Sequence, residues 1–299
     1  MISVQGIHPE FVAVVSGVDL TAPLPDDDFA QVEAAFERFA VLVFHGQRLT
    51  EDQQAAFAVR FGPLEPLTAP FVSTPGNQRR LSRAEFSDIS NLNEKGQLLD
   101  ESDSRRLINK ANRLWHTDSS FKRVPAKMSM LSAQSVVSEG GETEFADMRA
   151  AWDALPDALK HQVEDLVAEH DYFRSRIQVG LDPDSINPER RASLPPVPQV
   201  LVRKPVGGRK SLYLASHVRG IYGMDDAKGH RLIDDLLAHA TQPRFVHAHR
   251  WAVDDVVMWD NRCTMHRGRP FDETRVRAMR RATVTDVGPT VPESWRPAA

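Results

Sequence analysis

The pattern of hydrophobic and polar positions divides the chain into a helical opening, a strand-rich second half and two irregular polar stretches. Hydrophobic residues at helical spacing, behind an acidic start that suits the positive end of a helix, predict a first helix: Phe29, Val32, Phe36 and Phe39. The run 41–46, VLVFHG, predicts a short buried strand that ends at Gly46. Thr50 and Gln53 form a capping-box pattern, so a second helix is predicted from there to Gly62.

The two irregular stretches are the next feature. Residues 63–113 are polar, with Pro and Gly scattered through them, and a loop of this length in a compact domain is usually functional or mobile. We predict that this segment is an active-site lid. A predicted insertion, 147–199, begins as two helices separated at Pro156 and becomes irregular over 174–199.

Strand-like runs flank a helical middle in the second half of the chain. The runs are KMSMLSAQSVV (127–137), GGETEFADM (140–148), SLYLASHV (211–218), FVHAHRW (245–251), DVVMWDN (255–261) and RAMRRATV (277–284). A further helix is predicted at 226–241. This order lacks regular strand–helix alternation, so it favours one domain, residues 1–299, that is mostly β with helical insertions, as a barrel or sandwich.

Composition narrows the class of protein. The net charge is −4 and the pI is near 6.3, so no overall basic field would attract nucleic acid or an anionic membrane. Any anion must therefore be recognised by a local cluster. The single cysteine, Cys263, excludes an internal disulfide framework and fits a reducing compartment. With no apolar run of membrane-spanning length and no secretory pattern at the start, we expect a cytoplasmic protein.

The segment LWHTDSSF, residues 114–121, places an imidazole and a carboxylate two positions apart. In an extended chain, residues i and i+2 point the same way, so His116 and Asp118 could converge on one point. An H-x-D triplet alone is a weak signal because it occurs by chance in many proteins. A metal site would need a third ligand from elsewhere in the chain.

His266 is the best candidate for that third ligand. It lies where the apolar run 256–266 gives way to a polar Gly/Pro turn, and sites are commonly built at strand ends. Two histidines and a carboxylate on one face of a metal are the arrangement of non-haem Fe(II) oxygenases, whereas the H-E-x-x-H helix of many zinc hydrolases is absent. Other histidines have simpler interpretations, including His247 and His249, which alternate on a strand. Four more are predicted to lie on helices: His161, His170, His230 and His239.

Two arginines follow His266 on a predicted strand. Arg277 and Arg281 are four positions apart, hence on one face and roughly 13 Å from each other. An oxygenase that uses 2-oxoglutarate must hold the far carboxylate of that cosubstrate, and the planar guanidinium binds carboxylate in a bidentate manner. The other interpretation of RVRAMRR is a solvated cationic strand.

Several segments together resemble the taurine/2,4-dichlorophenoxyacetate dioxygenase family of Fe(II)- and 2-oxoglutarate-dependent enzymes. They are AVLVFHGQRLTEDQQAAFAVRFG (40–62), LWHTDSSF (114–121), GGETEFADMRAAWDALP (140–156), VMWDNRCTMHRGRPFD (257–272) and RRAT (280–283). Resemblance to the phenoxyacetate-degrading branch is carried by DISNL (88–92), DMRAAWDALP (147–156) and HATQPRFVHAHRW (239–251).

The resemblance implies a double-stranded β-helix, or jelly roll, and a set of site residues. The implied iron ligands are His116, Asp118 and His266; the implied 2-oxoglutarate ligands are Thr143 and Arg277; the implied substrate contacts are Arg281, Lys95 and His217. It further implies Fe(II), 2-oxoglutarate and O2 as cofactor and cosubstrates, ascorbate as a supporting reductant, and a small anionic substrate. We also expect a homo-oligomer.

One position departs from the phenoxyacetate-degrading branch, and two alternative functions stay open. Ser73 stands about where those enzymes can carry another lysine, so anion binding would depend more on Arg281 and Lys95. The first alternative is an alkylsulfonate dioxygenase that releases sulfite. The second is a metal-dependent jelly-roll hydrolase or lyase without redox turnover.

Overall fold

The computed structural model describes residues 1–66, 79–103, 105–204 and 208–297. Ser73 therefore lies outside the described residues. Within the described part of the chain, no helix is long and apolar enough to cross a membrane.

Strands outnumber helices in the described chain. The strands are β1 (Ser3–His8), β2 (Val12–Ser16), β3 (Val41–Phe44), β4 (Ser87–Ser90), β5 (Ala126–Ser135), β6 (Thr143–Asp147), β7 (Val167–His170), β8 (Val197–Val200), β9 (Val202–Arg203), β10 (Ser211–Leu212), β11 (Val218–Ile221), β12 (Val246–His249), β13 (Val256–Asp260), β14 (Thr264–Gly268) and β15 (Ala278–Thr285). The helices are α1 (Asp26–Phe39), α2 (Glu51–Ala58), α3 (Arg105–Ala111), α4 (Met148–Asp153), α5 (Asp157–Val163), α6 (Tyr172–Gln178), α7 (Pro188–Ser193) and α8 (Asp226–Ala240).

Two sheets face each other across the middle of the protein. The large sheet has the order β1-β2-β3-β13-β5-β15-β4, and the opposing sheet has the order β12-β6-β14. Phe145 of β6 contacts Trp259 of β13 with ring centroids 5.5 Å apart, and both belong to one buried apolar cluster. Smaller sheets, β11-β7-β8 and β10-β9, complete the strand arrangement.

Helices cover the outer faces of both sheets. Alternation along β13 sends Val257 and Trp259 towards the opposing sheet and Met258 into a separate cluster that contains residues of α1 and α2. On the opposing sheet, Ala146 and Met265 point away from the large sheet and pack with residues of α4 and α8. The sequence-based expectation of a sheet-rich domain with helical insertions is confirmed at this level.

Two predicted helical starts form as expected. The four spaced hydrophobic residues of α1 are buried, and three aspartates occupy its first turn. At α2, Thr50 Oγ1 accepts from Gln53 N at 3.2 Å, and Thr50 N donates to Gln53 Oε1 at 2.8 Å. These features are local, so spacing and cap chemistry were sufficient to predict them.

The segment 63–113 is more ordered than its composition predicts. Its described part contributes β4, which pairs with β15 at the edge of the large sheet, and α3. Phe86 is fully buried in the cluster beneath α1 and α2. The prediction of an irregular stretch missed these two elements, and β4 in particular is a four-residue polar edge strand with no apolar alternation to reveal it.

The predictions for 174–199 and for His170 also need correction. The segment 174–199 holds most of α6, all of α7 and the strand β8. His170 does not lie on a helix; it ends β7 and is fully buried, stacked on Tyr213 at 5.8 Å. The helical spacing before it stops after Val163, and the following residues pair with β8 and β11 instead.

Gln54 joins α2 to the large sheet and should be a large single contributor to stability. Its buried amide donates to Met130 O (3.1 Å) and Arg280 O (3.2 Å) and accepts from Arg280 Nε (2.7 Å). Gln54→Leu removes the amide and leaves its three buried partners without these hydrogen bonds. We therefore expect a loss of about 2–4 kcal/mol in the free energy of unfolding. Denaturant titration measures it, with the exposed Gln31→Leu as control; equal stability of both variants would contradict this role.

Candidate metal centre and cosubstrate cavity

The two candidate histidine ligands are neighbours because their backbones pair. His116 N donates to His266 O at 3.0 Å, and His266 N donates to His116 O at 2.8 Å, which makes an isolated antiparallel bridge. Their imidazole centroids lie 4.2 Å apart. The bridge therefore places a residue of the segment before β5 beside a residue of β14.

The segment after His116 alternates, as an extended chain should. Thr117 points away from the centre, and its hydroxyl donates to Leu214 O at 3.0 Å. Asp118 returns to the side of His116. Ser119 then adopts a left-handed conformation, with φ 52°, and its hydroxyl donates to Glu65 at 2.8 Å. These contacts fix the direction in which Asp118 projects.

The three side chains converge on a single point. His116 Nε2 lies 3.9 Å from Asp118 Oδ1, and His266 Nε2 lies 3.7 Å from Asp118 Oδ2. One potential ligand atom from each residue lies within 4.8 Å of the other two. Among the described residues, no other group of three or more His, Cys, Asp or Glu side chains has this geometry.

The ionisation states suit a metal ion. Burial lowers the pKa of His116 and lowers that of His266 well below its ordinary value, so both imidazoles are neutral. Burial alone would raise the pKa of Asp118, but Arg281 and the two histidines outweigh it and set the pKa at about 2. Neutral imidazoles and an ionised carboxylate are the forms that coordinate metals. Two nitrogens and one carboxylate suit Fe(II) with open positions.

Hydrogen bonding directs His116 towards the centre. Its Nδ1 lies 2.8 Å from Leu114 O, and a carbonyl can only accept, so Nδ1 carries the proton. The lone pair of Nε2 is left for a metal, as is usual for histidine ligands. His266 Nδ1 is buried and has no hydrogen-bond partner among the described residues. The donor set thus fits a bound divalent metal.

Asp118 is held by a network that starts in the core. Trp259 Nε1 and Asp118 N both donate to Asn261 Oδ1, at 3.1 and 3.2 Å. Asn261 Nδ2 donates to Ser129 Oγ at 3.0 Å, so the serine hydrogen is directed to Asp118 Oδ2 at 2.7 Å. The other oxygen, Oδ1, accepts from Arg281 Nη1 at 2.5 Å.

The centre opens into a cavity with an empty volume of about 930 Å³, including the solvent space at its mouth. His116 and His266 line it together with Leu131 and Trp259. The cationic lining residues described are Arg106, Arg113, Arg269, Arg277 and Arg281, against a single acidic one, Glu273. Because the chain has a net negative charge, we expected any anion to be recognised by a local cluster of cationic side chains. These arginines form such a cluster.

Arg277 differs from the other arginines of this cavity because it lacks a carboxylate partner. Glu273 pairs with Arg106 and Arg113, and other carboxylates pair with Arg269 and Arg281. No aspartate or glutamate of the described residues forms an ion pair with Arg277, and the remaining residues include neither type. Its guanidinium donates to Gly141 O at 3.0 Å, and burial lowers its pKa to about 10, leaving it charged.

Thr143 lines the cavity together with Arg277, and its hydroxyl hydrogen is free to point into the cavity. The residue is buried. Trp251 Nε1 donates to Thr143 Oγ1 at 3.0 Å. Since the indole can only donate, the hydroxyl hydrogen of Thr143 is available to an acceptor in the cavity.

The structure does not bring every predicted site residue to this cavity. Lys95 is exposed on a turn, where its backbone donates to Asn93 Oδ1, and it does not line the cavity. His217 is buried next to His116, with ring centroids 6.3 Å apart, and it does not line the cavity either. The six remaining predicted residues do come together: His116, Asp118 and His266 converge on one point, Arg281 donates to Asp118, and Thr143 and Arg277 line the cavity.

Sequence reasoning missed the residues that support the ligands. Ser129 gave no signal, because a serine within a predicted buried strand is common. Asn261 and Trp259 lie inside the segment that carried the family resemblance, yet the contact between Asn261 and Asp118 spans 143 positions, and Trp259 acts through Asn261. His249 had no carboxylate in its local pattern, but it lies 3.2 Å from Asp255.

The family comparison decides which class of metal protein this is. The model of the "Taurine catabolism dioxygenase TauD, TfdA family" matches residues 3–283. The chain belongs to this family. Membership in a dioxygenase family excludes the alternative of a metal-dependent hydrolase or lyase without redox turnover.

Individual relatives agree with this assignment. The chain is 46% identical over 282 residues to the alpha-ketoglutarate-dependent 2,4-dichlorophenoxyacetate dioxygenase of Cupriavidus pinatubonensis, covering 94% of this chain and 96% of that protein. It is 40% identical over 277 residues to the (S)-phenoxypropionate/alpha-ketoglutarate-dioxygenase of Sphingobium herbicidovorans, covering 90% of each. The crystal structure of AAD-2 in complex with Mn(II) and N-oxalylglycine has a TM-score of 0.89 and 46% identity, covering 98% of this chain and 100% of that one.

The hydrogen bond from Ser129 should strengthen metal binding. Ser129→Ala leaves Asp118 Oδ2 without its buried donor, so we expect the Kd for Mn(II) to rise about tenfold, as for other residues that support metal ligands. Isothermal titration calorimetry on the metal-free protein measures this change. Ser132→Ala, a buried serine of the same strand, is the control. Equal Mn(II) affinity in the two variants would show that Ser129 does not orient the carboxylate.

Proposed function

We propose that this protein is an Fe(II)- and 2-oxoglutarate-dependent dioxygenase that oxidises an aryloxyacetate, such as 2,4-dichlorophenoxyacetate, to a phenol and glyoxylate. 2-Oxoglutarate and O2 are consumed, and succinate and CO2 are formed. The observation that carries the proposal is one cavity where two neutral histidines and an ionised aspartate converge and where a buried arginine, Arg277, has no ion-pair partner among the described residues. The relatives named above support the substrate class.

The metal would be held by His116, Asp118 and His266. When bound with 2-oxoglutarate, iron supplies the oxidising chemistry: one atom of O2 enters succinate as CO2 is lost, and the other enters a C–H bond of the substrate. Oxidation of the carbon beside the ether oxygen gives a hemiacetal, which breaks down to a phenol and glyoxylate. The protein's contribution is to orient both organic molecules and to exclude water.

Arg277 and Thr143 would hold the carboxylate of 2-oxoglutarate that lies away from the metal. Among the described residues the guanidinium of Arg277 forms no ion pair, Glu142 acting on it only at longer range, and its planar fork matches a carboxylate. Thr143 can donate its hydroxyl hydrogen to the same group because Trp251 occupies its acceptor side. Trp251 is therefore a positioning residue for this contact.

Arg281 would hold the anionic group of the substrate. It lines the cavity beside the ligand set and donates to Asp118 through Nη1. Its Nε is buried and has no hydrogen-bond partner among the described residues. One edge of the Arg281 guanidinium can thus keep its hydrogen bond to Asp118 while another edge binds the incoming anion.

Features beyond the site belong to the same proposal. The two facing sheets, with the ligands between them, are consistent with a double-stranded β-helix. The described part of 63–113 contributes Leu99, Arg106 and Arg113 to the lining of the cavity, which supports its role as a lid. Closure of this lid would carry Lys95 towards the substrate. The homo-oligomer remains a sequence-based prediction.

A substrate panel tests the function. The protein with Fe(II), 2-oxoglutarate and ascorbate is given aryloxyacetates, aryloxypropionates or alkylsulfonates, and O2 uptake, succinate, phenol and sulfite are measured. We expect O2 uptake and succinate formation to rise with an aryloxyacetate, in step with release of its phenol. Sulfite release from an alkylsulfonate without phenol from any aryloxy acid would establish the alternative function instead.

Arg277→Lys should weaken 2-oxoglutarate binding specifically. A point charge replaces a bidentate fork, so we expect the KM for 2-oxoglutarate to rise about tenfold or more, with little change in the KM of the primary substrate. Steady-state succinate formation measures both constants. Arg275→Lys, an exposed arginine two residues earlier, is the matched control. A selective rise in the KM of the primary substrate would reverse the roles assigned to Arg277 and Arg281.

A further inference from the structure

A third arginine approaches the metal centre from α6. Arg176 Nη1 donates to Ser175 Oγ at 2.6 Å and to His217 Nε2 at 3.1 Å. Its guanidinium carbon lies 4.0 Å from the centroid of the Tyr172 ring. His217 in turn lies edge-on to His116, 6.3 Å between centroids, so a single residue separates Arg176 from a metal ligand, although Arg176, like His217, is not among the residues that line the cavity.

No acidic side chain neutralises Arg176. Among the described residues it forms no ion pair with an aspartate or glutamate, and the residues outside that set contain neither type. Burial lowers the pKa of Arg176 most, the side chain of Tyr172 opposes this by raising it, and the nearby charges of Arg281 and Arg190 lower it further. A largely buried cation without a carboxylate is costly unless an anion reaches it.

Arg176 and Arg281 approach the ligand set together. Arg281 donates to Asp118 at 2.5 Å, and Arg176 donates to His217, whose ring lies 6.3 Å from that of His116, so both arginines are near the centre. The only carboxylate of the ligand set, Asp118, is already paired with Arg281. A bound divalent metal would add further positive charge, and 2-oxoglutarate has its own arginine in Arg277. The positive charge left over calls for a second anion.

His217 is placed to orient Arg176 rather than to touch the substrate. A guanidinium can only donate, so Nε2 of His217 is the acceptor in their hydrogen bond. Its Nδ1 then carries the proton and faces Ser120 Oγ at 3.4 Å. Both ring nitrogens of His217 therefore have partners within the protein. His217 was expected from the resemblance to contact the substrate, but these partners suit it to orient Arg176 instead.

We propose that Arg176 binds the anionic group of the primary substrate together with Arg281, and that His217 is a positioning residue for Arg176. The inference rests on the proposed function, because it names how an aryloxyacetate carboxylate is recognised. Two guanidiniums on one carboxylate would fix the acid end. The aryl ring would then be directed along the apolar side chains of this region, among them Phe121, whose ring lies 5.0 Å from that of His217.

Binding measurements separate this role from a structural one. The protein is loaded with Mn(II) and N-oxalylglycine, so no turnover occurs, and calorimetry compares an aryloxyacetate with its neutral primary amide. Arg176→Gln should weaken binding of the acid about tenfold to a hundredfold and that of the amide no more than about threefold. Arg176→Lys should recover part of the loss, because it keeps the charge but not the fork.

Two controls define the outcomes. Arg174→Gln, two residues earlier on α6, should bind both compounds as the wild type does, and thermal melts and Mn(II) affinity show whether each variant is folded. An unchanged affinity of Arg176→Gln for the acid, or an equal loss for acid and amide, overturns the assignment while leaving the proposed function intact. A wild-type protein that binds metal and N-oxalylglycine normally but no aryloxyacetate overturns the proposed substrate, and this inference with it.

Discussion

The backbone bridge between His116 and His266 is the constraint on which the rest of the site depends. Two hydrogen bonds hold the histidines side by side, although they come from separate parts of the chain. Strand alternation then places Asp118 on the same side as His116. The neighbouring contacts, Thr117 to Leu214 and Ser119 to Glu65, stop this segment from rotating. A ligand set fixed through its backbone needs little further ordering when a metal binds.

Burial explains why the same three side chains suit a metal so well. It suppresses protonation of both histidines, while Arg281 and the histidines keep the Asp118 carboxylate ionised. Hydrogen bonds to Leu114 and Ser129 then orient two of the three ligands from behind. The energetic cost of burying these polar groups is thus offset by hydrogen bonds and ion pairs that also determine where each lone pair points.

Positive charge inside a chain of net charge −4 is the second organising feature. Most cavity arginines have acidic partners, which leaves Arg277 on one wall as an anion site. Arg176, which is connected to His116 through His217, likewise forms no ion pair with an acidic side chain of the described residues. Arg277 lines the cavity, whereas Arg176 contacts His217 and not the cavity lining, so the two anions that we propose have different places to bind. This arrangement is consistent with a reaction that brings a dicarboxylate cosubstrate and an acidic substrate to one metal.

The sequence by itself determined features that one element contains or that chemistry at a few positions reveals. Helix α1, the cap at Thr50 and the strand around Trp259 were predictable because their hydrophobic spacing is local. The ligand set and the arginine pair were identified from residue types together with the family resemblance. Three-dimensional contacts decided the rest: that His170 is a buried strand residue, that Ser129 and Asn261 support Asp118, and that His217 faces Arg176. These partners are brought together by strand pairing and sheet packing, and no local pattern records which distant residue will complete a hydrogen bond.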